Sequence, residues 1–220
     1  MAQVDDVLTI ALCMPMRDHP SAHFALSLAG VTYVTRTRLM LVRGYSSVSA
    51  AKSRNIVLER LETLEESLGR RADWTVWFDD DMVFPGNTIA KLLSHKKDIV
   101  GASYVRRTEP HDLLGVPEGS VVQTTGLSPF KRLPGGCLAV RRSVFDKVGR
   151  WTVTDELGED AIFCDRAREA GFEIWCDLDL TREVKHVGEQ ILEVDPERST
   201  LILPNQPRLP QVHLRGNGRG

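Results

Sequence analysis

The chain has 220 residues, 42% of them hydrophobic and 26% charged, which suits one packed domain and is short for two. Its 28 basic and 30 acidic residues leave a formal net charge of −2, a balance that speaks against broad coating of nucleic acid or anionic lipid but leaves room for a local basic patch. Cys13, Cys137, Cys164 and Cys176 show no CxxC spacing, so neither a zinc ribbon nor a thioredoxin-like centre is indicated, and they read as small buried hydrophobes in a reducing compartment.

In chain order, residues 1–6 carry two acids and no basic n-region, unlike a secretory signal. Residues 8–14 (LTIALCM) predict a buried strand that ends in Pro15 and the loop Arg17-Asp18-His19-Pro20. Residues 21–29 predict a short helix closed by Gly30, and 38–42 a second strand. The strongest helix signal covers 46–68, where Val57, Leu61, Leu64 and Leu68 recur at helical spacing and Gly69 follows the end. WTVWF at 74–78 predicts a third, buried strand, broken by three aspartates. Pro85-Gly86 opens a helix over 87–95, and 98–102 predict a fourth strand.

Residues 109–125 read as a loop with an edge strand near Val121-Val122. Pro134-Gly135-Gly136 precede a strand at 137–140, and 143–148 form a helical turn. A helix over 159–170 has acids in its first turn and Gly171 after its end. Residues 172–176 and 182–186 predict short strands. Beyond Val194, four prolines and the ending Arg215-Gly216-Asn217-Gly218-Arg219-Gly220 predict an extended tail. No apolar run approaches the ~20 residues that span a membrane, so a cytoplasmic protein without a membrane span is expected. The alternation of strands and helices predicts an α/β domain: a mostly parallel central sheet with helices on both faces. Ligands of such sheets bind beyond the carboxyl ends of the strands, here residues 15–20, 79–81 and the loop after Val140.

Several groupings at those places can carry chemistry. Asp79, Asp80 and Asp81 follow directly on a buried strand, where three unneutralised carboxylates repel one another. A hard divalent cation with oxygen ligands resolves this, and a diphosphate can complete its shell; a solvated acidic turn is the competing reading. His186, flanked by Val184 and Val187, is a structural histidine taken alone and a further metal ligand in the company of carboxylates. Glu159 and Asp160 complement a helix N-terminus or supply a general base beside a cleft. Arg54 and Asn55 are a solvated helix face with Lys52, or contacts to a base and its phosphates. Gly135-Gly136 make a tight turn or a close approach to ligand. Arg106-Arg107, Lys131-Arg132 and Arg141-Arg142 are surface pairs that could bind a polyanion such as DNA if they converge with the tail arginines.

The order of these pieces over residues 8 to about 190 resembles the GT-A glycosyltransferases, especially compact, soluble family-2-like members of phage or bacterial type. The resemblance implies a nucleotide-diphospho-sugar transferase domain over 1–190, followed by the tail over 191–220. It also implies that Asp79-x-Asp81 is a DXD motif: Asp79 near the donor's nucleoside, Asp81 on Mn2+ or Mg2+ with Asp79 and His186 as further ligands, and Asp80 beside them. Asp160 resembles the base of inverting members, with Glu159 and Gly135-Gly136 placing the acceptor. Pro15, Arg17, Arg54 and Asn55 would line the nucleotide pocket. The implied activity is transfer of one sugar from a nucleotide-diphosphate sugar to an acceptor hydroxyl on a modified DNA base, protein, glycan or small molecule. The loop Met14-Pro15-Met16-Arg17-Asp18 departs from the family's Pro-x-Tyr-Asn, and the acceptor motif of processive synthases is absent, which favours single-sugar transfer. A nucleotidyltransferase would carry a Gly-rich loop where this chain has Pro15–Pro20, and a binding module that had lost turnover would not need Asp79, Asp81, Asp160 and His186 together.

Overall fold

The computed structural model describes residues 7–32, 36–107, 109–119, 123–188 and 191–192. In chain order the elements are β1 (Leu8–Pro15), α1 (Ala22–Ala29), β2 (Thr37–Gly44), α2 (Ala50–Leu68), β3 (Trp74–Phe78), β4 (Met82–Val83), α3 (Thr88–Ser94), β5 (Ile99–Gly101) and β6 (Val116–Pro117). They continue with β7 (Leu127–Arg132), β8 (Cys137–Arg141), α4 (Val144–Val148), α5 (Glu159–Glu169), β9 (Ile174–Asp177), α6 (Leu178–Thr181), β10 (Lys185–Val187) and β11 (Ile191–Leu192).

Eight strands form one sheet in the order β2-β1-β3-β8-β5-β9-β7-β6, and β11-β10-β4 form a smaller one. The sheet is mixed rather than mostly parallel. β1 pairs parallel with β2 and β3, and β5 with β9, but β8 runs antiparallel between β3 and β5, and β7 antiparallel to β9. The difference comes from where β8 enters the sheet: after the β6–β7 excursion at the far edge the chain returns between β3 and β5 and runs antiparallel to both.

Both faces of the sheet are covered. Every residue of β3 is buried, and its side chains alternate between two cores. Trp77 packs with Val57, Leu58 and Leu61 of α2, Phe145 of α4 and Phe163 of α5. Trp74, Val76 and Phe78 pack on the opposite side with Phe24 of α1 and Ile89 and Leu92 of α3. Burying such side chains stabilises by about 1.5–3 kcal/mol each, which makes this sandwich the main source of fold stability. The four cysteines are free and buried. Among the described residues no helix is long and apolar enough to cross a membrane.

Local chemistry sets the helix ends. Ser21 accepts the Phe24 N–H at the start of α1, and Ser49 accepts the Lys52 N–H at the start of α2. The long helix therefore begins at Ala50, not Ser46, and Gly69 closes it in the left-handed conformation at φ 58°. The strand expected over 182–186 is displaced: Asp177 Oδ1 caps a short helix, α6, by accepting the Leu180 N–H, and β10 starts at Lys185. The strand expected near Val121-Val122 and the expected tail beyond Val194 lie outside the described residues.

Candidate active site

Register brings the acidic turn, the glycine pair and the segment after β5 to one place. Phe78 at the end of β3 lies opposite Cys137 at the start of β8, and the Asp79 N–H donates to the Gly136 carbonyl at 3.2 Å. The end of β5 reaches the same point through the Ala102 N–H, which donates to the Cys137 carbonyl at 3.0 Å. The second sheet adds the histidine: His186 pairs with Met82, and the Val187 N–H donates to the Asp81 carbonyl at 2.7 Å. The antiparallel β4–β10 ladder thus joins two residues that sequence spacing does not relate.

Arg54 is the electrostatic centre. It is 2% exposed rather than on a solvated helix face, and it lies over Trp151 and Trp77 at 5.2 and 5.8 Å from the ring centroids. Its Nη2 is 3.0 Å from Asp79 Oδ1 and 3.7 Å from Asp160 Oδ1, its Nε 3.5 Å from Glu159 Oε1, and its Nη1 donates to the Gly135 carbonyl at 3.4 Å. Burial acts to lower the guanidinium's pKa, and Asp79, Asp160 and Glu159 outweigh it, so Arg54 stays charged. Burial pushes the Asp79 carboxyl up, with Arg54 opposing. Burial also pushes Asp160 up to about 6, against Arg54 and helped by Glu159 and Asp79. Asp160 Oδ1 is buried without a hydrogen-bond partner among the described residues, although the side chain as a whole is 30% exposed. One oxygen is therefore desolvated while the carboxyl remains reachable.

The glycines are required by crowding. A methyl group on Gly135 would lie 2.6 Å from Asp160 Oδ1 and 2.8 Å from Arg54 Nη2. On Gly136 it would lie 2.5 Å from the Tyr104 hydroxyl and 2.9 Å from Asp79 Oδ2.

The three aspartates point to different partners. Asp79 turns to Arg54. Asp80, 5% exposed, accepts from Arg17 three times: from N and Nε at Oδ2 (2.8 and 3.0 Å) and from Nη2 at Oδ1 (2.8 Å). Asp80 thereby anchors the loop after β1. Asp81 Oδ2 accepts from Arg107 Nη1 at 2.8 Å, and its Oδ1 is buried with no hydrogen-bond partner among the described residues. His186 Nε2 faces that oxygen at 3.5 Å, while Nδ1 lies 2.9 Å from the Val105 carbonyl. The Val105 carbonyl fixes the orientation of the ring and aims Nε2 at Asp81, the arrangement in which a backbone carbonyl orients a metal-binding imidazole. Burial raises the Asp81 pKa, and His186, Arg107 and Arg17 outweigh that and hold it below the usual range.

Among the described residues no three His, Cys, Asp or Glu side chains converge on one metal position. Asp81 and His186 offer a two-ligand corner. The surrounding charge fits a cation: Asp79, Asp80, Asp81, Glu159 and Asp160 face Arg17, Arg54 and Arg107, which leaves an excess of two negative charges.

Other expected site residues sit differently. The Asn55 side chain is held by the Trp151 backbone, donating to its carbonyl at 2.8 Å and accepting its N–H at 3.0 Å. Pro15 ends β1 opposite Gly44. The basic pairs separate, with Arg107 on Asp81, Arg132 on Asp165, Arg141 on Asp98 and Arg142 on Glu65. Tyr104 and Arg107 complete the site and were not expected in it. The buried Tyr104 hydroxyl accepts the Gly136 N–H at 3.0 Å, and its ring meets His186 edge-on with centroids 5.0 Å apart. Their signal was position: they follow the carboxyl end of β5.

No protein-family model and no curated protein matches the chain. Solved structures do share its architecture. A197 from STIV aligns with a TM-score of 0.56 and 14% identity, covering 94% of this chain and 100% of that one. GalNAc-T7, in a structure with UDP, GalNAc and Mn2+, aligns with a TM-score of 0.52 and 11% identity, covering 84% of this chain and 44% of that one. The chain thus has a GT-A-like fold that distantly resembles glycosyltransferases such as GalNAc-T7, with a mixed central sheet flanked by helices.

Proposed function

We propose that this protein is a metal-dependent glycosyltransferase that moves a single sugar from a nucleotide-diphosphate sugar to an acceptor hydroxyl. The observation that carries the reading is the buried Asp81 Oδ1, which has no hydrogen-bond partner among the described residues and faces His186 Nε2 at 3.5 Å, beside a second acidic group, Asp160 and Glu159, across Arg54. Asp81 and His186 fit two places in the shell of Mn2+ or Mg2+, with Asp79 adjacent and the donor's diphosphate supplying further oxygens. Such an ion supplies charge neutralisation to the leaving diphosphate. The GT-A-like fold supports the same class of ligand, and Asp79 and Asp81 act in this reading as a DXD motif whose two carboxylates serve different ends of the donor.

Asp160 acts as the base. It takes the acceptor's hydroxyl proton as the acceptor oxygen bonds to the anomeric carbon, and that carbon's bond to the diphosphate oxygen breaks with its electron pair leaving on the nucleoside diphosphate. Attack from the face opposite the leaving group inverts the anomeric centre. Glu159, Gly135 and Gly136 shape the acceptor side, and Pro15 and Arg17 border the nucleotide side. Asp80 and Asn55 act from behind by fixing the first loop and Trp151. A modified DNA base, a protein, a glycan or a small molecule each offers a suitable hydroxyl.

Release of nucleoside diphosphate from UDP-, GDP-, CDP- and TDP-sugars tests this. Turnover with one nucleotide class is expected with Mn2+, and its loss with EDTA or in Asp160→Asn. Pyrophosphate release from a nucleoside triphosphate and a sugar phosphate would instead mark a nucleotidyltransferase. Donor binding with no release of either product would mark a binding module.

A further inference from the structure

Arg107 stands at the exposed edge of the site, on the same segment that orients His186. Val105, whose carbonyl lies 2.9 Å from His186 Nδ1, bridges to Leu113, and the Arg106 N–H donates to the Asp112 carbonyl at 2.9 Å. The chain therefore turns back on itself just past Val105 and carries Arg107 at the turn. Its side chain is 48% exposed, yet Nη1 reaches inward to Asp81 Oδ2 at 2.8 Å. Arg17, 50% exposed, lies 3.9 Å from the same oxygen while its fork is taken up by Asp80. The two arginines differ in one respect. Arg17 is pinned by three hydrogen bonds to Asp80, one of them from its backbone, whereas Arg107 meets Asp81 through a single nitrogen.

A carboxylate cannot satisfy a divalent cation and a close guanidinium equally well. The added positive charge repels the guanidinium and withdraws the negative charge that held it. A guanidinium released at the exposed edge of the site then has a better partner in a diphosphate, whose oxygens match its planar fork. We infer that Arg107 is an exchangeable counter-ion for Asp81: it pairs with that carboxylate in the metal-free protein and transfers to the donor's diphosphate when Asp81 takes a metal. The inference rests on Asp81 as a metal ligand, and adds a diphosphate-binding residue and a coupling between metal and donor. Metal and diphosphate bind cooperatively because each removes the partner that the other would have to displace.

The test titrates Mn2+ alone into the wild-type protein and Arg107→Ala, following free Mn2+ by electron paramagnetic resonance. UDP, GDP, CDP and TDP are then titrated into each protein at saturating Mn2+ by calorimetry. Arg107→Ala is expected to bind Mn2+ about fivefold more tightly, because a half-exposed competing ion pair is gone. It is expected to bind the preferred diphosphate about tenfold more weakly. Arg107→Lys keeps the competing charge but not the fork, so its Mn2+ affinity stays near wild type while its diphosphate affinity falls between the two. Equal or weaker Mn2+ binding in Arg107→Ala, or undiminished diphosphate binding, overturns the exchange. Absence of Mn2+ binding in all three proteins, with and without diphosphate, overturns the metal-site reading itself and the exchange with it.

Discussion

Arg54 Nη2 lies 3.0 Å from Asp79 Oδ1 and 3.7 Å from Asp160 Oδ1, so one buried guanidinium ties the end of β3 to the start of α5. Its removal leaves Asp79, Glu159 and Asp160 facing one another without a counter-charge. Arg54→Met is therefore expected to destabilise the protein by about 3–5 kcal/mol, the usual result of breaking a buried pair from one side. Arg54→Lys keeps the charge but loses the fork and the stacking on Trp151, and should fall between wild type and Arg54→Met in urea unfolding at pH 7. Equal stability of wild type and Arg54→Met would show that the carboxylates are solvated.

Asp160 carries opposite consequences for stability and activity. Folding raises its pKa to about 6 from an ordinary 3.8, so the folded state holds its proton more tightly than the unfolded chain. The sign follows: stability falls as pH rises from about 4 through about 6, and the penalty is complete at neutral pH. Asp160→Asn removes that penalty and is expected to stabilise the protein at pH 7 by on the order of 1 kcal/mol while lowering turnover at least 100-fold. Wild-type turnover should rise along an acid limb centred near pH 6. Thermal melts of both proteins at pH 4.5 and 7 check the first point, and a pH–rate profile the second.

Gly136 and Tyr104 are coupled through space. A methyl group at Gly136 would lie 2.5 Å from the Tyr104 hydroxyl, so Gly136→Ala should cost about 1–3 kcal/mol and displace Asp79 as well. Tyr104→Phe removes the atom it strikes. The double variant is expected to be less destabilised than the sum of the singles by about 1 kcal/mol. Strict additivity in denaturant unfolding would separate the two residues.

Asn55 is expected to matter for folding rather than for donor affinity. Its amide makes two hydrogen bonds to the Trp151 backbone, and truncation leaves both backbone groups without that partner. Asn55→Ala should cost about 1–3 kcal/mol and leave the dissociation constant for the nucleotide unchanged at a temperature where the variant is folded. Weaker nucleotide binding by a fully folded variant would return Asn55 to the pocket.

What could be read from the sequence follows local physics. LTIALCM and WTVWF are apolar runs that only a buried strand explains at that length, and the helical spacing of Val57, Leu61, Leu64 and Leu68 marks α2. The acidic turn is legible because three carboxylates directly follow a buried strand. β7 was missed because LSPFKR contains a proline and a lysine, and only Ser128 and Phe130 are buried. The direction of β8 depends on which strands it enters between, and no local pattern encodes that. Arg54 reads as helix surface because its partners Glu159 and Asp160 are over a hundred residues away, and its burial exists only once α5 is docked. Tyr104 and Arg107 lie in a segment with no helical or strand periodicity, and only the position of β5 in the assembled sheet reveals them.

The most direct test of the site is a thermal-shift screen of UDP-, GDP-, CDP- and TDP-sugars, each with and without Mn2+, on wild type, Asp81→Asn and His186→Ala. Binding to the folded state at a hundredfold excess over the dissociation constant adds about 2.7 kcal/mol of stability. The expected result is a rise in Tm for wild type with one nucleotide class, seen only with Mn2+, lost in Asp81→Asn and reduced in His186→Ala. No shift with any donor, or the same Mn2+-dependent shift in Asp81→Asn as in wild type, would contradict a metal and nucleotide-sugar site at Asp81.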